Sequence, residues 1–270
     1  MKPKTEEFLY FLLWSGDRLA NPTFRNLTDS YESWAYRNGL LRQIGSLEKQ
    51  QLVERDPTAP DDRIYRLTRP GRLHALGGRD PQAQWARTWD GRWRLVLFDI
   101  PTAQDGFRQQ LRRRLAEAGC GCLQGSVWVT PDSMEHDRQR LAGAKINVKS
   151  LILVEGRPCS GESDAQIVAG AWDFERINRR YQHVLKILRE RPAGSLSSET
   201  EARALRNWAA AEREAWGRAV RSDPLLPERI LPPGYLGKEA WRQRIDALRE
   251  AGRQLRTFQW SKPAPKLCPR

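Results

Sequence analysis

The stretch Trp89–Pro101, WDGRWRLVLFDIP, restricts the fold more than any other part of the chain. Leu95 to Phe98 form an unbroken apolar run that ends in Asp99 and then Pro101. A run of this length between turn signals reads as a buried strand. Behind it, AQDGFRQQLRRRLAEAG sets Phe107, Leu111, Leu115 and Ala118 on one helical face. CLQGSVWVTP then reads as a second strand, SMEHDRQRLAG as a shorter helix and VKSLILVEG as a last strand. Two strand–helix units of this size predict a split, ferredoxin-like βαββαβ domain over residues 85–157, with a further strand near Gly125 or Ile146. Asp99 stands at the tip of the first strand. Such an acid is either a catalytic or metal-binding carboxylate, or a polar anchor at a turn.

Ahead of this domain, residues 5–15 predict one apolar helix ended by Gly16, and TFRNLTDSYESWAYRNG one or two short helices. GLLRQIGSLEKQQLVER then spaces Leu40, Leu41, Ile44 and Leu47 as the stripe of a helix on a small core. Leu52 and Val53 begin a strand, DPTAPDD breaks it, and RIYRLT resumes it over residues 63–68. Three helices and a hairpin with a polar tip, within residues 1–80, is the order of a winged helix-turn-helix, whose third helix enters the major groove. The outward face of that helix carries Arg37, Asn38, Arg42, Gln43, Ser46 and Lys49. Arginine, asparagine and glutamine pair bidentately with base edges. Arg55, Arg63 and Arg66 bring the hairpin to phosphates, which adds affinity without reading sequence. A solvated polar face on a small helical domain is the competing reading.

After the central domain the pattern turns helical over residues 165–270. Trp172, Ile177, Tyr181, Val184, Leu185 and Leu188 form one stripe, and Leu205, Trp208, Ala209, Glu212 and Trp216 a second. RPAGSLSSET between them reads as a linker with a helix-capping start. DPLLPERILPPGYLGKEAW is rich in proline yet apolar, which predicts an ordered, packed loop. A final helix runs to about Arg256, and SKPAPKLCPR reads as a loose basic tail. The expected fold class is therefore α+β, with winged-helix, ferredoxin-like and helical domains in that order.

Charge narrows the partner. The chain of 270 residues has a net charge of +13 and a pI near 10.0, which points to an anionic partner. The excess is largest in residues 157–270, with 22 basic against 14 acidic residues, away from the expected DNA reader. No apolar run approaches the roughly 20 residues of a membrane helix, and Glu6 and Glu7 precede only a short apolar stretch, so a cytoplasmic protein with no membrane partner is expected. Cys120, Cys122, Cys159 and Cys268 are too few and too scattered for a disulfide framework. Cys120-Gly-Cys122 has no matching pair and the chain has three histidines, so small buried thiols are expected, with no metal and no cofactor.

YRLT, WDGRWRLVLFDIP, LQGSVWVTP and DPLLPERILPPGYLGKEAW, in that order, make the chain resemble the PaaX family of bacterial transcriptional repressors. The resemblance spans nearly the whole length. It implies a homodimeric repressor of a catabolic operon that binds double-stranded operator DNA. It further implies release by an acyl-CoA effector, with phenylacetyl-CoA the family's inducer. Arg176, Arg179 and Arg180 beside Tyr181 are the candidates to hold its phosphates, at the junction of the central and C-terminal segments. A basic solvated helix face is the bland reading of those arginines. The resemblance extends to a small CRISPR adaptation protein described as a metal-dependent nuclease, with an aspartate where Asp99 stands. Catalysis of that kind needs several oxygen ligands around a divalent cation. Asp99 is the one strand-end acid here, and Arg92, Arg94, Arg108 and Arg112 are placed to neutralise it. A structural role for Asp99, and a protein that is not an enzyme, is the expectation; the nuclease is the alternative.

Overall fold

The computed structural model describes residues 46–55, 65–75, 78–101, 103, 105–134, 150–159, 161–194 and 199–260. Predicted elements in residues 1–45, the helix predicted over 133–143 beyond Met134, the hairpin tip and the tail from Ser261 lie outside these. The chain divides into two compact units. One is Asp80–Arg180 with Arg218–Leu236; the other takes the residues up to Arg79, Tyr181–Gly217 and those from Gly237.

The first unit is mixed α+β. Strand β3 (Trp93–Asp99) lies inside a four-stranded antiparallel sheet with β4 (Gly121–Gln124), β5 (Val127–Thr130) and β6 (Ser150–Gly156). The strand order is β4-β5-β3-β6. With helix α3 (Asp105–Glu117) between β3 and β4, this is the order a split βαβ unit requires. CLQGSVWVTP is two strands rather than one, because Gly125 takes a positive φ of 44° and turns the chain before β5. The further strand expected near Gly125 is therefore found.

Period-two alternation sorts the β3 side chains. Val96 and Phe98 turn to α3 and pack with Leu111, Leu115 and Trp128 in one buried cluster. Trp93 turns the other way, into a second cluster with Trp89, Val129, Val168, Leu226 and Ile230. Phe107 does not join the α3 face predicted for it and is 45% exposed. Phe107 lies in the first turn of α3, ahead of Leu111 and Leu115, which fill the core, and Ala118, also predicted for this face, is exposed beyond the helix end.

Helix α2 (Pro81–Trp85) starts with a proline behind an Asp80 cap that accepts from the Ala83 amide at 3.1 Å. Helix α4 (Asp164–Ala171) begins in a Ser163–Gln166 capping box. It ends at Trp172, so Trp172 does not share a helix with Ile177, as the stripe had predicted. The break falls at Trp172-Asp173, and α5 (Phe174–Arg189) follows, its Arg176 amide donating to the Asp173 carboxylate at 2.8 Å. Cys120 is buried and Cys122 half-buried, but Cys159 is exposed, against the expectation of buried thiols.

In the second unit, the described N-terminal part holds a helical turn at Ser46–Lys49 and a two-stranded antiparallel ladder. There β1 (Val53–Arg55) pairs with β2 (Tyr65–Leu67), and α1 (Arg69–Ala75) follows. Thr68 clamps the ladder by donating to the Gln51 carbonyl at 2.6 Å. The C-terminal part is built by the later half of α5 with α6 (Glu199–Ser222) and α7 (Gly237–Trp260). Tyr181, Val184, Leu205, Trp208, Trp216, Ala240 and Leu248 are buried there.

Candidate functional site

Four places carry the chemistry that the sequence singles out. At the first, Ser46 and Lys49 are exposed on a helical turn whose Leu47 is buried. Helix and ladder are joined tightly: the Leu52 amide donates to the Leu47 carbonyl at 2.9 Å, through Gln51 in a left-handed conformation. Arg55 lies in β1 and Arg66 in β2, at the register pairs Arg55–Tyr65 and Glu54–Arg66. Arg37, Asn38, Arg42, Gln43 and Arg63 fall outside the described residues.

The second is the tip of β3. Asp99 is exposed and sits opposite Ser150 of β6. The arginines expected to neutralise it are engaged elsewhere, which corrects the sequence reading. Arg108 donates to the Ile100 carbonyl at 2.5 Å and Arg112 to the Gly125 carbonyl at 2.8 Å. Arg92 and Arg94 lie at the opposite end of the strand, because β3 extends the chain by roughly 3.3 Å per residue. There Arg94 donates to both Asp90 oxygens, at 2.9 and 2.5 Å, and to Glu155 at 3.0 Å, while Arg92 bonds Glu155 at 2.5 Å. The Arg94 hydrogen bond holds the Asp90 carboxyl below its usual range, and Arg92, then Arg94, does the same to Glu155. Among the described residues no three His, Cys, Asp or Glu side chains gather to hold a metal.

The third is the start of α5. Arg176 and Arg179 are exposed and Arg180 is half-buried. Arg179 pairs with Glu175 at 2.5 Å, and Arg180 reaches the Arg218 carbonyl at 3.4 Å. Tyr181 is fully buried, its ring 6.0 Å from that of Trp216. Arg176 and Arg179 thus face solvent, Arg180 lies against the Arg218 backbone, and Tyr181 belongs to a core.

The fourth place was not foreseen. Glu212 of α6 and Arg244 of α7 form an ion pair at 2.6 Å with side chains 0% and 1% exposed. The Arg244 guanidinium lies 4.6 Å from the Trp216 ring centre and 5.8 Å from that of Trp241. Glu212 Oε2 and Trp216 Nε1 are buried without a hydrogen-bond partner. Burial pushes the Glu212 carboxyl up, against the pull of Arg244. The signal lay in the second stripe: an acid at a core position between Trp208 and Trp216 requires a buried cation.

An antiparallel sheet with one strand–helix crossover, followed by a helical unit, defines an α+β protein of two modules. The modules are those of one family. Residues 86–168 match the PaaX protein central Cas2-like domain, and residues 172–257 match the PaaX-like protein C-terminal domain. The chain belongs to the PaaX family. Its fold is similar to that of an uncharacterized protein, Rv0674, from Mycobacterium tuberculosis, at 18% identity and a TM-score of 0.56, with 93% of this chain and 96% of the other covered. No functionally curated protein matches the chain. Among the described residues no helix is long and apolar enough to cross a membrane.

Proposed function

We propose that the protein is a DNA-binding transcriptional regulator, a repressor and not an enzyme. Membership of the PaaX family through two successive modules carries this reading. Residues 1–80 form its winged helix-turn-helix, residues 85–157 a ferredoxin-like domain and residues 165–270 a helical domain. The helical turn at Ser46–Lys49 running directly into the β1–β2 ladder supports the first assignment. Arg37, Asn38, Arg42, Gln43, Ser46 and Lys49 read the operator, and Arg55, Arg63 and Arg66 hold phosphates. Changing Arg42 or Gln43 costs about 1–3 kcal/mol on the preferred site. Changing Arg63 weakens all sequences alike and flattens the salt slope by about one unit.

The working form is a homodimer reading paired half-sites about one helical turn apart, or a multiple of it. Among the described residues β6 is the last strand of the sheet, and its Ile152 and Val154 are 58% and 45% exposed; an unpaired strand edge beside an exposed apolar patch favours association with another chain and supports an assembly. The effector is an acyl-CoA of the phenylacetyl-CoA kind, its phosphates taken by Arg176, Arg179 and Arg180. It must favour the form that does not bind DNA, because equal affinity for both forms shifts nothing. Calorimetry with phenylacetyl-CoA, other acyl-CoAs and free CoA, with and without operator, tests this. The expected result is binding that lowers DNA affinity; binding by none of them, or binding without that effect, refutes the inducer. Sizing that returns only a 31.2 kDa species, with a single footprinted half-site, refutes the dimer.

A further inference from the structure

By sequence, residues 223–236 lie between α6 and α7, yet they belong to the compact unit of the sheet. Their attachment to it is dense. At one end Asp223 is buried and accepts from the Leu225 amide at 2.8 Å, fixing Leu225 at a φ of +51°, a conformation that a fully buried leucine adopts only when its surroundings enforce it. Arg87 supplies the enforcement. It donates to the Leu225 carbonyl, and its own position is fixed by a two-pronged pair with Asp132 at 2.7 and 3.0 Å.

In the middle, Leu226 and Ile230 fill the cluster of Trp89, Trp93, Val129 and Val168, and the Arg229 guanidinium lies 5.7 Å from the Trp89 ring centre. At the other end Asn178 uses both halves of its amide. Its nitrogen donates to the Gly234 carbonyl at 3.0 Å, and its oxygen accepts from the Leu236 amide at 2.9 Å. Tyr235 accepts from the Trp85 indole at 3.1 Å and donates to Asp223. The two ends are thereby tied to each other as well as to the sheet unit.

We propose that Asp223–Leu236 is a strap that completes the core of the sheet unit and couples its stability to helices α6 and α7. The segment supplies two of the six buried side chains of one face cluster, so that face of the sheet has no closed core without it. Ser222 ends α6 and Gly237 begins α7, so displacement of either helix end passes along the chain into the strap. Leu225 gives the device a stored bias. Once Arg87 or Asp223 lets go, that residue relaxes away from the left-handed region and the strap does not simply fall back. The strap is independent of any particular effector or operator.

Native-state hydrogen exchange on the full chain, at denaturant concentrations below the unfolding midpoint, tests the proposal. In the wild-type protein the slowest amides of β3 and β5 should share one opening with those of α6 and α7. Asn178→Ala and Tyr235→Phe each remove a strap contact at a residue that is not fully buried. Each should speed exchange in β3 and β5 at least tenfold while α6 and α7 change less, separating the two sets. A smaller change in β3 and β5, equal acceleration in both sets, or separate openings already in the wild-type protein overturns it. Arg221→Ala, at an exposed residue of α6 outside the strap, serves as the control that keeps every one of these contacts and should leave the shared opening intact.

Discussion

Replacing Arg244 by methionine removes the cation from a pair that no solvent reaches, and leaves the Glu212 carboxylate buried without its hydrogen bond. Breaking such a pair costs about 3–5 kcal/mol, whereas replacing both members by apolar side chains of similar volume is close to neutral. A chain of this size loses roughly 2–4 °C of Tm per kcal/mol, so Arg244→Met should melt about 6–20 °C lower. The size of the loss should depend on pH. Burial raises the Glu212 pKa, and the variant loses the attraction that opposes this rise. A carboxyl whose folded pKa lies above its unfolded value favours folding below the unfolded value. That contribution disappears as pH rises through the folded one. Arg244→Met should therefore be less destabilised at pH 5 than at pH 8, and Glu212→Leu with Arg244→Met should regain most of the loss at both. Near-ultraviolet circular dichroism during thermal unfolding reads the packing of Trp216 and Trp241, whose ring centres lie 5.4 Å apart. A single variant melting within 2 °C of wild type at both pH values, or a double variant no more stable than the single, refutes the reasoning.

Three further outcomes are expected. Asp90 and Glu155 titrate below ordinary carboxylates, so the stability they contribute is present above about pH 4 and lost as pH falls through their folded pKa values; Arg94→Met should raise both titrations in carboxyl-resolved NMR. Asp99→Asn should leave DNA binding unchanged and abolish no magnesium- or manganese-dependent hydrolysis of RNA or DNA, whereas cleavage that vanishes in this variant favours the nuclease. Gly71→Ala would place a methyl carbon 1.8 Å from the Leu52 carbonyl oxygen. That forces α1 off the ladder at about 1–3 kcal/mol, and should lower both Tm and operator affinity.

What could be read from the sequence was local and periodic. The unbroken run at Leu95–Phe98 identified β3, and the spacing of Leu111 and Leu115 identified α3, because each depends only on side chains near in sequence. The composition of DPLLPERILPPGYLGKEAW predicts an ordered, packed loop; Leu225, Leu226 and Ile230 are buried, but its Gly237–Trp241 end is the start of α7. Its destination, the Trp89 and Trp93 cluster, was hidden, since no local pattern says which core a loop completes. The same limit applied to charge. Arg92 and Arg94 are near Asp99 in sequence, but a strand separates them in space, and their partners Asp90 and Glu155 include one from another strand. Glu212 falls on the second apolar stripe, yet its partner Arg244 is 32 residues away and on another helix. The apolar stripe joins Trp172 to the following helix because it continues across a break that Asp173, capping α5, marks.

The most direct measurement of the central claim is selection of duplex DNA from a random pool by the full chain, followed by the same selection with residues 1–80 removed. The full chain should enrich a two-fold-related site, bound with a steep salt dependence that reports its phosphate contacts. The truncated chain should keep the near-ultraviolet signature of its folded helices and enrich nothing. Failure of the full chain to enrich any site, or recovery of the same site by the truncated chain, would contradict the assignment of a DNA-binding regulator that reads its operator through its N-terminal segment.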